Sequence, residues 1–211
     1  MNKRIVIVGN GTLSKKCLTI IQRGDYVIGV DRAASWLIQE GRIPDMAIGD
    51  FDSVTKEELK HIQQSVKNIQ RFPKDKDSTD MELAVVHAIE MKPTEVLVLG
   101  GTGSRMDHTM ATWHLLDLLL EEKILHVLLN ETNRIRLVGR GKTIIEKASY
   151  RYISILPYTK SIMLSLNGFR YNLVYKTLQQ GTTLGVSNEI QKAQGIIRIF
   201  SGKAWVIESN D

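Results

Sequence analysis

The sequence predicts two folds in one chain: an α/β N-terminal domain with a mainly parallel sheet and helices on both faces, then an all-β C-terminal sandwich. Over the first 130 residues, short apolar runs alternate with helix-period stretches. That is the pattern of a parallel sheet whose strands are covered on both faces. After Asn130 the alternation drops to period 2, with glycines at 139, 141, 168, 181, 185, 195 and 202 as punctuation. Antiparallel strands joined by turns read this way. The expected domains are 1–130 and 131–211.

In chain order, the apolar runs Arg4–Val8, Tyr26–Val30, Met46–Ile48, Val96–Leu99 and Ile124–Leu129 are expected as buried strands. The stretches Leu13–Gln22, Ala33–Gln39, Lys56–Val66, Thr79–Ile89 and Met106–Glu121 have helical spacing. In the second half the expected strands are Ile135–Val138, Lys142–Ile145, Arg151–Leu156, Ser161–Leu166, Arg170–Tyr175, Ile196–Phe200 and Lys203–Ile207.

Composition narrows the function classes. Of 211 residues, 43% are apolar and 24% charged, which is globular rather than disordered. The net charge of +5 fits either general solubility or an anionic ligand such as a nucleotide. The basic residues are scattered, so no nucleic-acid partner is expected. No run approaches 18 uninterrupted apolar residues, so no membrane span is expected. The N-terminal apolar stretch is too short for a signal peptide. The single cysteine, Cys17, cannot form an internal disulfide, which fits a reducing cytoplasmic location.

Three loops concentrate the chemistry. The first follows "IVIVG" and carries Gly9-x-Gly11, with Asp31 ending the second strand 22 residues after Gly9. This imitates a dinucleotide fingerprint, but Ser14 stands where a third glycine belongs. A plain tight turn between strand and helix explains the glycines equally well.

The second is "IGDFDSV". Strand alternation would put Asp50 and Asp52 on one side and Phe51 on the other. Two adjacent carboxylates repel unless a cation lies between them. At the mouth of an α/β sheet Mg²⁺ is the natural candidate, because it takes carboxylate, phosphate and water oxygens. A solvated acidic loop is the plain alternative. Downstream, Thr79-x-x-Glu82 is a capping box that starts a helix there. Asp80 then lies in the first turn, where the helix dipole favours its ionised form. Lys74, Asp75, Lys76 and Asp77 crowd the same loop. Lys76 suits a phosphate oxygen.

The third is "GGTGSRMDH". Small residues let backbone N–H groups approach an anion, and a helix start follows. Arg105 could grip phosphate oxygens with two donors. Asp107 and His108 fall in the first helical turn, where His108 is an acid–base group or simply a satisfied polar residue. Together the loops point to phosphoryl or pyrophosphoryl transfer by positioning and charge neutralisation.

The motifs "GVDRAA", "GDFDSV", "KDKDSTDMELAV", "GGTGSRMDH", "GFRYNL" and "GVSNEI" occur in an order that resembles the thiamine pyrophosphokinase family. The resemblance covers nearly the whole chain. It implies a homodimer with active sites in clefts between subunits. It also implies transfer of the β,γ-pyrophosphoryl group of ATP to thiamine, giving thiamine diphosphate and AMP. By the same resemblance, Asp50, Asp52 and Asp80 hold Mg²⁺. Asp31 is an active-site acid. Lys76, Asp77 and Arg105 face ATP, and Asp107 and His108 complete the third motif. Tyr171 covers the thiamine, whose cationic thiazolium suits an aromatic face, and Ser187 and Asn188 bond its aminopyrimidine. One competing reading stays open at this point. "MAIGDFDSV" also imitates a haloacid-dehalogenase-type phosphatase, with Asp50 as nucleophile. That motif normally opens its fold, and here two strands precede it.

Overall fold

The computed structural model describes residues 4–73, 77–147 and 150–210. The chain divides into two compact units, Met1–Glu131 and Thr132–Asp211.

The first unit alternates strand and helix: β1 (Arg4–Val8), α1 (Lys15–Ile20), β2 (Tyr26–Val30), α2 (Arg32–Gln39), β3 (Met46–Gly49), α3 (Lys56–Ser65), β4 (Asn68–Arg71), α4 (Asp80–Glu90), β5 (Glu95–Leu99), α5 (Met106–Glu121) and β6 (Leu125–Leu129). These strands pair in parallel in the order β4-β3-β2-β1-β5-β6. Alternate residues of β1 serve opposite faces. Val6 and Val8 join Cys17, Val27, Leu37, Leu97 and Leu99 in one buried cluster. Strands β1 to β4 progress to one side of β1, and β5 is then added on its other side. Side chains and loops beyond the carboxyl ends of β1 and β5 therefore diverge and leave a crevice, the usual ligand position in open α/β sheets.

The second unit is antiparallel: β7 (Asn133–Val138), β8 (Gly141–Glu146), β9 (Tyr152–Pro157), β10 (Ser161–Asn167), β11 (Leu173–Gln179), β12 (Gln194–Ser201) and β13 (Ala204–Ser209). Strand β13 pairs with both β7 and β9, while the others run β11-β10-β12-β8. Ile153, Ile155, Ile162, Leu164, Ile197, Ile199 and Val206 lie in the buried cluster of this sandwich. A carboxylate is buried in this unit too. Glu208 accepts from Arg136 Nη2 at 2.7 Å, and Arg134 Nε lies 3.7 Å from the same oxygen. Burial pushes the Arg136 guanidinium down from its ordinary value, and the facing carboxylate opposes that.

The fold class is the one the sequence predicts, with one strand that it did not predict and one that is shifted. Strand β4, "NIQR", is a polar edge strand with no apolar signature. Strand β11 begins at Leu173 rather than Arg170 and is an edge strand with mostly exposed residues.

Candidate active site

A cavity of about 580 Å³ lies at the carboxyl ends of β1, β2, β3 and β5. It collects Asp31, Asp50, Asp52, Asp80, Arg105 and His108 from four separate loops and helix starts.

Strand β3 stops at Gly49, so Asp50 and Asp52 are not brought together by strand alternation. A left-handed turn at Phe51, φ 59°, aligns them instead. Such a backbone costs a bulky residue roughly 1–2 kcal/mol. The Phe51 ring is only 3% exposed and packs in a cluster with Ala34, Ala47, Ile62 and Val66. That burial is of a size to offset the strain. The Asp52 N–H then donates to Asp50 Oδ1 at 2.9 Å.

Asp31 joins them from the neighbouring strand. In the β2–β3 register Val30 faces Ile48, and the Asp31 N–H donates to the Ile48 carbonyl at 2.7 Å. Oxygens of Asp31, Asp50 and Asp52 all come within 4.8 Å of one another. Asp31 also has a left-handed φ of 49° and is 6% exposed. Its Oδ2 accepts from Ser53 Oγ at 2.5 Å and from Asn10 Nδ2 at 2.9 Å. Its Oδ1 is buried and has no hydrogen-bond partner among the described residues. Burial raises the Asp31 carboxyl above its ordinary value, the two donors oppose this, and Asp80 and Asp50 add to it through space. Asn10 is itself held, because its Oδ1 accepts the Ala33 N–H at 2.6 Å and so caps α2 from another loop.

The glycines of the first loop pack backbone on backbone. Gly9, Gly11 and Thr12 donate to the carbonyls of Leu99, Gly100 and Thr102 at 2.8, 2.8 and 2.7 Å. A Cβ on Gly11 would overlap the Thr102 carbonyl oxygen, and one on Gly100 the Gly9 carbonyl oxygen. Gly9-x-Gly11 thus serves to seat the β1 loop on the β5 loop. With Asp31 committed to the acidic group, the dinucleotide reading loses both of its supports.

Thr79 caps α4 by accepting the Glu82 N–H at 3.2 Å, which puts Asp80 at the first helical position, facing the cavity. Arg105 precedes α5 and turns its fork onto Asp107, with Nη2 donating to Oδ2 at 2.6 Å. That pairing holds the exposed Asp107 carboxyl below its ordinary value. Thr109 Oγ1 accepts from the Gly103 N–H at 3.1 Å and donates to the Arg105 carbonyl at 3.1 Å, closing the glycine loop onto α5. Asp77 is exposed and Asp107 does not line the cavity. Lys76 lies outside the described residues. Asn10 and Thr109 lie outside the motifs, and Ser53 lies inside "GDFDSV" without standing out there, since hydroxyl and amide side chains are common in any loop.

In the second unit, Tyr171 is 60% exposed and precedes β11 in a loop. The Arg170 guanidinium lies 5.5 Å from its ring centroid. Asn188 is 4% exposed and clamps this loop. Its Oδ1 accepts from Tyr171 N–H and Glu189 N–H, both at 3.0 Å, and its Nδ2 donates to the Tyr171 carbonyl at 2.8 Å. Ser187 is exposed with a left-handed φ of 55°.

Known proteins resemble this chain in sequence and fold. The family model for "Thiamin pyrophosphokinase, catalytic domain" matches residues 17–128, and that for "Thiamin pyrophosphokinase, vitamin B1 binding domain" matches residues 142–204. A curated relative, thiamine pyrophosphokinase of Bacillus subtilis (strain 168), is 35% identical over 186 residues, covering 87% of each chain. The crystal structure of a thiamine pyrophosphokinase from Bacillus subtilis matches with a TM-score of 0.93 at 33% identity, over 99% of this chain and 100% of that one. A thiamin pyrophosphokinase structure from Geobacillus thermodenitrificans gives a TM-score of 0.89 at 30% identity, over 99% and 98%. Nothing in the fold or in these matches favours the phosphatase reading of Asp50. Both halves of the chain are matched at this level of identity and coverage, and the chain belongs to the thiamin pyrophosphokinase family.

Proposed function

We propose that the chain transfers the β,γ-pyrophosphoryl group of ATP to the hydroxyethyl oxygen of thiamine, giving thiamine diphosphate and AMP. The observation that carries this reading is the acidic group. Three carboxylates within 4.8 Å of one another, one with a buried oxygen lacking a partner among the described residues, fit a divalent cation bound with phosphate oxygens. Asp31, Asp50 and Asp52 would hold Mg²⁺, with Asp80 on the same cavity wall. Mg²⁺ there would neutralise triphosphate charge and orient the chain of phosphates.

The protein's own groups do the rest. Ser53 and Asn10 occupy Asp31 Oδ2 and so fix the orientation of that carboxylate. Arg105 exchanges Asp107 for non-bridging phosphate oxygens, a trade between two anionic partners at an exposed site. A carboxylate of the group accepts the proton of the thiamine hydroxyl as that oxygen attacks the β-phosphorus and AMP departs. In the second unit, Tyr171 already carries one cation over its ring, which supports its role as the face for a thiazolium. Asn188 fixes the Tyr171 backbone, and Ser187 offers a hydroxyl beside it. The same reading takes the working form as a cytoplasmic homodimer with substrate sites at the subunit interface. Met106 and Met110 on α5, 63% and 59% exposed, supply apolar surface for contact between copies.

The test is incubation of the purified protein with thiamine and Mg-ATP, with analysis of both products. Thiamine diphosphate and AMP in equal amounts are expected. Thiamine monophosphate and ADP would contradict pyrophosphoryl transfer.

A further inference from the structure

The main cavity is suited to phosphates and poorly suited to a nucleobase. Among the described residues lining it there is no Phe, Tyr or Trp and the one ring is the His108 imidazole; the rest of the wall is mainly carboxylate, hydroxyl and glycine, with Arg105. A nucleotide bound there needs somewhere else to put its base.

A second cavity, of about 310 Å³, begins where the first ends. The two share Asn10 and Gly11, so the β1 loop is their common wall. The second has the character the first lacks. Trp36 on α2 lines it together with Leu13 and Ala33, giving a flat ring with apolar flanks. Trp36 is half-buried, packed on one side against the core cluster that includes Leu37 and Cys17. Gln39, one turn further along α2, adds a side-chain amide that can both donate and accept, as the edge of a purine demands.

The far wall is already set. Glu58 Oε2 accepts the Thr55 N–H at 2.8 Å in a full capping box, and Arg32 Nε lies 3.5 Å from its other oxygen. The position in the fold agrees. The cavity lies beside the β1 and β2 loops, next to the crevice at the switch point, where open α/β sheets extend a bound nucleotide.

We propose that this cavity is the base subsite for the purine of the nucleotide, with the Trp36 ring as its stacking platform. The inference rests on the reading of the main cavity as the phosphate site. It assigns nucleotide affinity to a residue outside the reacting centre. A base stacked on an aromatic side chain is worth about a tenfold or greater change in affinity on truncation.

The test uses the full chain with Trp36→Ala and Trp36→Phe. In Trp36→Ala the KM for ATP rises about tenfold, with kcat and the KM for thiamine unchanged. In Trp36→Phe most of the ATP affinity is kept, because a ring remains. Binding is read separately by tryptophan fluorescence. AMP quenches the wild-type signal, inorganic triphosphate does not, and the quench disappears in Trp36→Phe although that variant still works. An unchanged ATP KM in Trp36→Ala, or an AMP quench that persists in Trp36→Phe from Trp113 or Trp205, overturns the proposal. Failure of the parent reading looks different: no thiamine diphosphate from the wild type, with AMP quenching of Trp36 intact.

Discussion

Each unit of this protein buries a carboxylate, and the two are treated in opposite ways. In the β unit, Glu208 is 2% exposed and meets two arginines, one at 2.7 Å. In the α/β unit, Asp31 is 6% exposed and, among the described residues, meets two neutral donors on one oxygen, none on the other, and two more carboxylates nearby. Burying an uncompensated charge is costly, so the first arrangement satisfies a structural requirement and the second leaves one open. That difference is what the proposed cation site rests on.

The contrast can be broken from either side. The largest effect is expected from Glu208→Ala. Removing one partner of a buried pair leaves Arg136 uncompensated and should cost about 3–5 kcal/mol of stability. Denaturant unfolding measures it. A loss under a fraction of a kcal/mol would remove Glu208 from the structural class.

Asp50→Asn should do the reverse. The amide oxygen can still accept the Asp52 N–H, so the turn survives and the melting temperature does not fall. Turnover should drop by about a hundredfold or more, the scale of losing one preorganised electrostatic group. Normal turnover in this variant would take Asp50 out of the reaction. Ser53→Ala is milder. It removes one of the two donors that turn Asp31, and second-layer losses of this kind weaken metal affinity about tenfold to a hundredfold. A Mg²⁺ titration of activity would show the half-saturation point moving up with maximal turnover retained. An unmoved half-saturation point would leave Ser53 a loop hydroxyl.

On stability without a divalent cation, Asp31→Asn gives the smallest effect but the one with a characteristic pH dependence. Burial raises the Asp31 carboxyl in the folded protein, so the folded state holds its proton to higher pH than the unfolded state does. Wild-type stability therefore falls as pH rises from the ordinary carboxylate range to the raised value, and is then level. The variant lacks that fall. It should match the wild type in acid and exceed it at neutral pH when no divalent cation is present. Parallel curves across this range would mean that the charge at Asp31 is already compensated.

Much of this was legible before the structure. Strands β1 and β2 and helix α5 fall on their predicted residues because each is a strongly patterned apolar segment. The two misjudged strands, β4 and β11, are both edges of their sheets, where exposed polar side chains erase the pattern that periodicity relies on. The site was read as a set of motifs but not as a group. Asp31 was attached to the Gly9-x-Gly11 loop by spacing along the chain. Its closest acidic companions instead follow the next strand, because β2 and β3 are parallel neighbours in register. An acid directly after each of two successive buried parallel strands was the available signal. The left-handed turn at Phe51 had none, since no sequence rule places a phenylalanine at positive φ.

The most direct test of the open charge is thermal unfolding at neutral pH with and without Mg²⁺, for the wild type and Asp31→Asn. Mg²⁺ should raise the wild-type midpoint, since it binds only the folded state, and should leave the variant nearly unmoved. A wild-type midpoint indifferent to Mg²⁺, or an equal rise in both proteins, would contradict a cation site built on Asp31, Asp50 and Asp52.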